Sequence, residues 1–156
     1  QKHSRRYWND AEATAASFRE GWTRSGDLGY IDDDGDLILA GRSKELIIRG
    51  GYNITPMEIE TVLHQHPAVQ EAAVVGVDHE VLGEDIGAAV SLRPGANVTP
   101  EETAAYARDH LADNKVPRTV LVLDELPHNP NGKILKKELK PLLDAKAREM
   151  RAARVA

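Results

Sequence analysis

The stretch LPHNPNGKILKKEL, residues 126–139, sets Lys133 on a loop of Pro, Asn and Gly directly ahead of a basic amphipathic helix that begins at about Lys136. A loop of this composition is expected to reorganise at little cost and to carry an ammonium into a site elsewhere. Lys133 is not the lysine of a Walker phosphate loop. Position 127, where the first Gly of that loop would stand, is Pro, and Ile134 replaces the Ser or Thr that meets magnesium. From the residues alone, Lys133 reads either as a surface lysine after an Asn-Gly turn or as a cation that neutralises charge developing in a transition state.

Working outward, TVLVL (119–123) reads as a strand, and Thr99-Pro100-Glu101-Glu102 as a capping box that opens a helix to about Ala112. Residues 69–77 and 86–92 are strand-like, joined by a polar stretch around His79 to Asp85. Thr55-Pro56-Met57-Glu58 opens another helix: Thr caps, Pro fits the first turn, and Glu closes a second capping box. Ile59, Val62 and Leu63 give that helix its apolar stripe. ELIIR (45–49) reads as a strand running into Gly50-Gly51, a bulge or a tight turn. Further out, residues 9–21 read as a short helix, capped by Asn9 or Asp10 and ended by Gly21. Tyr30-Ile31 and Leu37-Ile38-Leu39 flank Asp33-Asp34-Gly35, a hairpin signal. The aspartates at 32, 34 and 36 do not make a calcium loop. An EF-hand needs Gly at its sixth position and Glu at its twelfth, where this chain has Leu37 and Ser43.

Strands and helices thus alternate, αβ-style, in one small unit from about residue 45. The first forty-odd residues read as a helix plus hairpin belonging to a larger body. A chain of 156 residues and 17.1 kDa can bury one core with an appended fragment. A net charge of −5 gives no reason to expect nucleic acid as a partner. Absence of cysteine removes disulfides and thiol catalysis and fits a reducing compartment. No apolar run approaches a membrane span, and QKHSRRYWND lacks the apolar core of a signal peptide. The expected location is the cytoplasm. The first residue is Gln rather than Met, and a fragment is expected. His64 and His66 do not share a helical face, and no metal site is expected. Trp8 and Trp22 are expected to pack. The basic tail (Lys136, Lys137, Lys140, Lys146, Arg148, Arg151, Arg154) reads as a solvated helix face, with contact to the phosphates of a ligand as the alternative.

Three blocks, TRSGDLGYI (23–31), GRSKELIIRGGYNITPMEIE (41–60) and LPHNPNGKILKKEL, resemble in order the acyl-adenylate-forming enzymes, and most closely the C-terminal part of fatty- or aryl-acyl-CoA synthetases. The resemblance runs from about Tyr7 to Leu143. Ser25 stands where the family usually has Thr, and Asn131 where it often has Ser or Thr. The resemblance implies that residues 1–43 are the tail of a large N-terminal adenylation domain. It implies that 44–143 form a small mobile α+β C-terminal domain, a mixed sheet flanked by helices, and that 144–156 are a basic helical tail.

The resemblance also implies roles for individual residues. Lys133 would reach the carboxylate and α-phosphate during adenylation, Asp27 would clamp the adenosine ribose, and Arg42 would contact the nucleotide. Lys44 would be the hinge, and Gly50 and Gly51 would line the pantetheine channel. The implied substrates are a carboxylic acid, ATP with Mg2+, and CoA, none held tightly by this fragment. The implied partners are the large domain and, in bacterial members, a lysine acetyltransferase acting at Lys133. Transfer of the acyl group to a carrier protein, and a non-catalytic binding module, are the alternatives.

Overall fold

The computed structural model describes residues 6–155, which divide into two units at Lys44 and Glu45. The first five residues, half of the stretch QKHSRRYWND, lie outside the described residues, as does the side chain of Arg154.

The first unit holds α1 (Ala11–Ser17), a short pair β1 (Phe18–Arg19) and β2 (Trp22–Thr23), and the longer pair β3 (Asp27–Ile31) and β4 (Leu37–Arg42). Asp10 caps α1 by accepting from the Ala13 amide at 2.8 Å. The helix stops at Ser17, short of the expected residue 21. Glu20 and Gly21 have φ of 52° and 87°, the two positive values of a type I′ turn, and Arg19 pairs with Trp22 across it. Gly21 therefore closes a hairpin rather than a helix. No described residue of this unit is buried, so nothing there offers Trp8 and Trp22 a core to pack under. They are 95% and 79% exposed, against the expectation.

The second unit is built on a five-stranded sheet. Its elements are β5 (Ile47–Arg49), β6 (Tyr52–Ile54), α2 (Pro56–Gln65), β7 (Val69–His79), β8 (Gly83–Leu92), α3 (Pro100–His110), β9 (Thr119–Leu123) and α4 (Lys136–Val155). β7 and β8 form a long antiparallel hairpin whose loop shrinks to Glu80–Leu82. His79 Nδ1 accepts from the amides of Val81 and Leu82, both at 3.2 Å. The expected polar linker is thereby absorbed into the strands. The other edge of β8 meets β5 at Arg49↔Gly83 and runs parallel to β9 from Gly87↔Thr119 to Ser91↔Leu123, so the sheet is mixed.

The alternation of side chains along a strand distributes the core. Val74 of β7 and Ile86, Ala88 and Val90 of β8 face α2 and α3, among Ile59, Leu63 and Ala107. Ala73, Val75, Val77 and Ala89 face α4, among Leu139, Leu143 and Ala147. Both faces are covered, which is why β7 and β8 read as nearly continuous apolar runs. α4 runs unbroken to Val155, with Ala147 only 3% exposed.

The two Thr-Pro-x-Glu sequences behave differently. At α3, Thr99 Oγ1 accepts from the Glu102 amide at 3.1 Å and Glu102 Oε2 accepts from the Thr99 amide at 2.8 Å, a complete capping box. At α2 the Thr55 hydroxyl makes no capping bond, and the Lys115 ammonium holds Glu58 at 2.7 and 2.8 Å. The expected box at Thr55 is absent because its glutamate is engaged elsewhere. Replacing Thr99 with Ala is therefore expected to cost about 1 kcal/mol, and Thr55→Ala a few tenths, in chemical denaturation.

Candidate active-site elements

In the first unit, Asp27 and Arg42 are fifteen residues apart in sequence and register partners in β3 and β4. Arg42 Nε donates to Asp27 Oδ1 at 3.1 Å, with side chains 54% and 34% exposed. The carbonyl of Gly26 accepts from the Ser43 amide at 2.9 Å and from Ser43 Oγ at 3.1 Å, pinning the ends of the two strands together. Ser25 Oγ accepts from the Asp27 amide at 3.2 Å. The hairpin end thus presents an accessible carboxylate beside a guanidinium. That pairing can accept from sugar hydroxyls and donate to phosphate oxygens. Lys44 follows, exposed, in the 3-10 turn Ser43–Glu45, the last residue of its unit.

In the second unit, Gly50 and Gly51 are the two residues between β5 and β6, with Arg49 opposite Tyr52. Their φ values of 57° and 87° again describe a type I′ turn, a geometry that favours glycine and by itself accounts for the pair. The Gly50 amide donates to the Leu82 carbonyl at 2.9 Å, and a Cβ on Gly51 would meet nothing within 4 Å. The turn is anchored on one side and open on the other.

The Lys133 loop is more ordered than its composition suggests. Asn129 Oδ1 accepts from the amides of Asn131 at 3.0 Å and Lys133 at 2.9 Å. The Asn129 amide donates to the Lys133 carbonyl and its carbonyl accepts from Gly132, both at 2.9 Å, with Gly132 at φ 76°. The acidic loop of the first unit makes the same bonds position for position. Asp32 Oδ1 accepts from Asp34 and Asp36, the Asp32 amide donates to the Asp36 carbonyl, the Asp32 carbonyl accepts from Gly35, and Gly35 has φ 88°. Asp32 therefore serves as a turn former, and among the described residues no group of His, Asp or Glu gathers to hold a metal.

The arms beside the Lys133 loop are also fixed. His128 Nε2 lies 2.9 Å from Glu71 Oε1 on β7, Leu126 is buried at 1%, and the Leu135 amide donates to the Pro127 carbonyl at 2.7 Å. The expectation of an easily reorganised loop is corrected here. Lys133 stands exposed on a hydrogen-bonded turn. Among the described residues its ammonium has no ion pair. Several other lysines of α4 are engaged within the protein: Lys136 with Glu45 and Glu60, Lys140 with Asp78 and Asp144, and Lys146 with Glu149.

The structure thus brings Asp27 and Arg42 together and holds Gly50-Gly51 and Lys133 on separate loops. The parts played by Asn129 and His128 were missed in the sequence, and Lys136, read there as part of a solvated face, is instead mostly covered and paired with Glu45 and Glu60. For Asn129 a signal existed, because Asn-x-Asn-Gly-Lys parallels the Asp-x-Asp-Gly-Asp of the first hairpin.

Residues 58–133 match the family model of the AMP-binding enzyme C-terminal domain. The chain carries the C-terminal domain of the acyl-adenylate-forming enzymes. It is 47% identical over 133 residues to a long-chain-fatty-acid–CoA ligase of Bacillus subtilis, covering 85% of this chain and 24% of that one. It is also 47% identical over 139 residues to a 2-succinylbenzoate–CoA ligase of Geobacillus kaustophilus, covering 88% and 28%. The solved o-succinylbenzoate CoA synthetase of Bacillus subtilis, in complex with its acyl-adenylate intermediate, superposes with a TM-score of 0.79 at 42% identity. That match covers 86% of this chain and 27% of that one. The chain therefore spans about a quarter of the length of the curated relatives it matches. No helix among the described residues is long and apolar enough to cross a membrane.

Proposed function

We propose that this AMP-binding C-terminal domain and its N-terminal extension belong to an AMP-forming carboxylic acid–CoA ligase, which converts a carboxylate, Mg-ATP and CoA to acyl-CoA, AMP and pyrophosphate. The observation that carries this reading is an exposed lysine without an internal ion pair, mounted on a built turn, in a unit that begins at the residue after Lys44. The activities of the relatives, fatty-acid and succinylbenzoate CoA ligases, support it.

In the first half-reaction the carboxylate oxygen attacks the α-phosphorus and pyrophosphate leaves. Lys133 neutralises charge shared between the two reacting anions, while Asp27 and Arg42 take the ribose and its phosphate. The small domain, residues 44–143 with its helical tail 144–156, then turns about Lys44 against the large domain to which residues 1–43 belong. The turn removes Lys133 and presents the Gly50-Gly51 turn to the pantetheine arm. The CoA thiol attacks the acyl carbon, and AMP leaves. A lysine acetyltransferase acting at Lys133 would remove the charge that Lys133 brings to the first step. On this reading the reaction runs in the cytoplasm, where ATP and CoA are both available.

The test is AMP release by the full-length ligase with Mg-ATP and a panel of carboxylic acids, with and without CoA. AMP that forms with one acid class and requires CoA is the expected result. Pyrophosphate exchange without CoA-dependent turnover would redirect the second step to another acceptor.

A further inference from the structure

Lys136 is the first residue of α4, three residues beyond Lys133, and its side chain is only 26% exposed. Its ammonium lies 2.8 Å from Glu45 Oε2 and 2.8 Å from Glu60 Oε1. Glu60, 17% exposed, also accepts from the Val74 amide at 2.8 Å, so it is tied to α2 and to the central hairpin at once. Glu45 ends the 3-10 turn that contains Lys44, ninety-one residues away from Lys136 in sequence. One ammonium thus joins the segment leaving Lys44, the face of α2 and the base of the Lys133 loop. The other anchor of that loop, His128 on Glu71, holds the preceding arm to β7 and makes no bond to Glu45.

We propose that Lys136 is a positioning residue for adenylation. It clamps the segment after the hinge to the helix that carries Lys133, so that a rotation at Lys44 reaches Lys133 undiminished. The inference rests on the roles proposed for Lys44 and Lys133. It extends them by naming the part that couples the two. The carboxylates around Lys136 neutralise it and leave it unsuited to bind nucleotide itself. Its contribution is to place another group, and small misplacements of a catalytic group are expensive. Thioester formation, in which Lys133 is withdrawn, does not call on the clamp.

The test uses the full-length ligase with Lys136→Met, Lys136→Arg, Glu45→Gln and Lys133→Ala, with the exposed neighbour Lys137→Met as charge control. Pyrophosphate exchange reads the first half-reaction, and CoA-dependent consumption of supplied acyl-adenylate reads the second. Lys136→Met and Glu45→Gln are each expected to lower exchange on the order of tenfold. Adenylate consumption should stay within about twofold. Lys136→Arg should restore most of the exchange, and Lys137→Met should match the parent. Equal loss in both halves, as a merely damaged domain would give, overturns the proposal, as does no loss in either. If Lys133→Ala separates the halves and Lys136→Met does not, the clamp alone is wrong. If Lys133→Ala also fails to separate them, the role of Lys133 falls and the clamp falls with it.

Discussion

Lys133→Ala in the full-length ligase is expected to lower acyl-adenylate formation by about 10²–10³-fold, near the loss seen when a single preorganised charge-stabilising group is removed. The thioester half, measured from supplied acyl-adenylate, should remain at the parent rate. The asymmetry follows from placement. Two anions must approach one another in the first step, and an exposed ammonium without an internal carboxylate is available to both. In the second step the nucleophile is a thiol and the leaving group is already activated. Stability should not change measurably, because the Lys133 side chain contributes to none of the bonds that shape the loop. Loss shared equally by the two half-reactions would remove Lys133 from its assigned role.

The largest stability effect is expected at Arg49. Its Nε lies 2.7 Å from Asp85 Oδ1, with the two side chains 17% and 12% exposed. The same Asp85 oxygen accepts from the Ile86 amide at 2.8 Å. Arg49→Met leaves that carboxylate mostly buried and without its cation, which costs about 3 kcal/mol. For a chain of this size the midpoint of thermal unfolding should fall by about 6–12 °C. The cost is local as well as global, because β5 meets β8 at the one pair Arg49↔Gly83 and the Gly50-Gly51 turn follows directly. Asp85→Asn in the Arg49→Met background should recover part of the loss by removing the stranded charge. A change below about 1 kcal/mol for Arg49→Met would mean that solvent already screens the pair.

The parts of this chain that were legible in its sequence are those decided by local chemistry or by strict period. The strand Thr119–Leu123 and the start of α4 appear where the apolar pattern places them, and the Thr99 capping box forms as written. Asp27, Arg42 and Lys133 could be picked out by motif, and the cross-strand register that joins Asp27 to Arg42 became visible only in three dimensions. What stayed hidden depended on partners far along the chain. Glu58 left its capping box for Lys115, fifty-seven residues away, and Lys136 found Glu45 at ninety-one. Strand β6 went unread because three residues carry little periodicity, and only the paired φ values of Gly50 and Gly51 reveal the hairpin. The helix expected over residues 9–21 lost its last turn to a competing hairpin for the same reason.

The turn at 129–133 has a twin at 32–36, built on the same Asx-x-Asx-Gly pattern with a different fifth residue. Positions one and four, an Asx residue and a glycine, make the grip in both, while position five is Asp36 in one and Lys133 in the other. A mount of this kind is indifferent to its cargo. Evolution or an engineer can exchange the fifth side chain, and an acetyl group can be added to it, without loosening the holder. Whatever such a change does to the ligase is then an effect of charge and reach alone, as when one bit is swapped in an unchanged chuck.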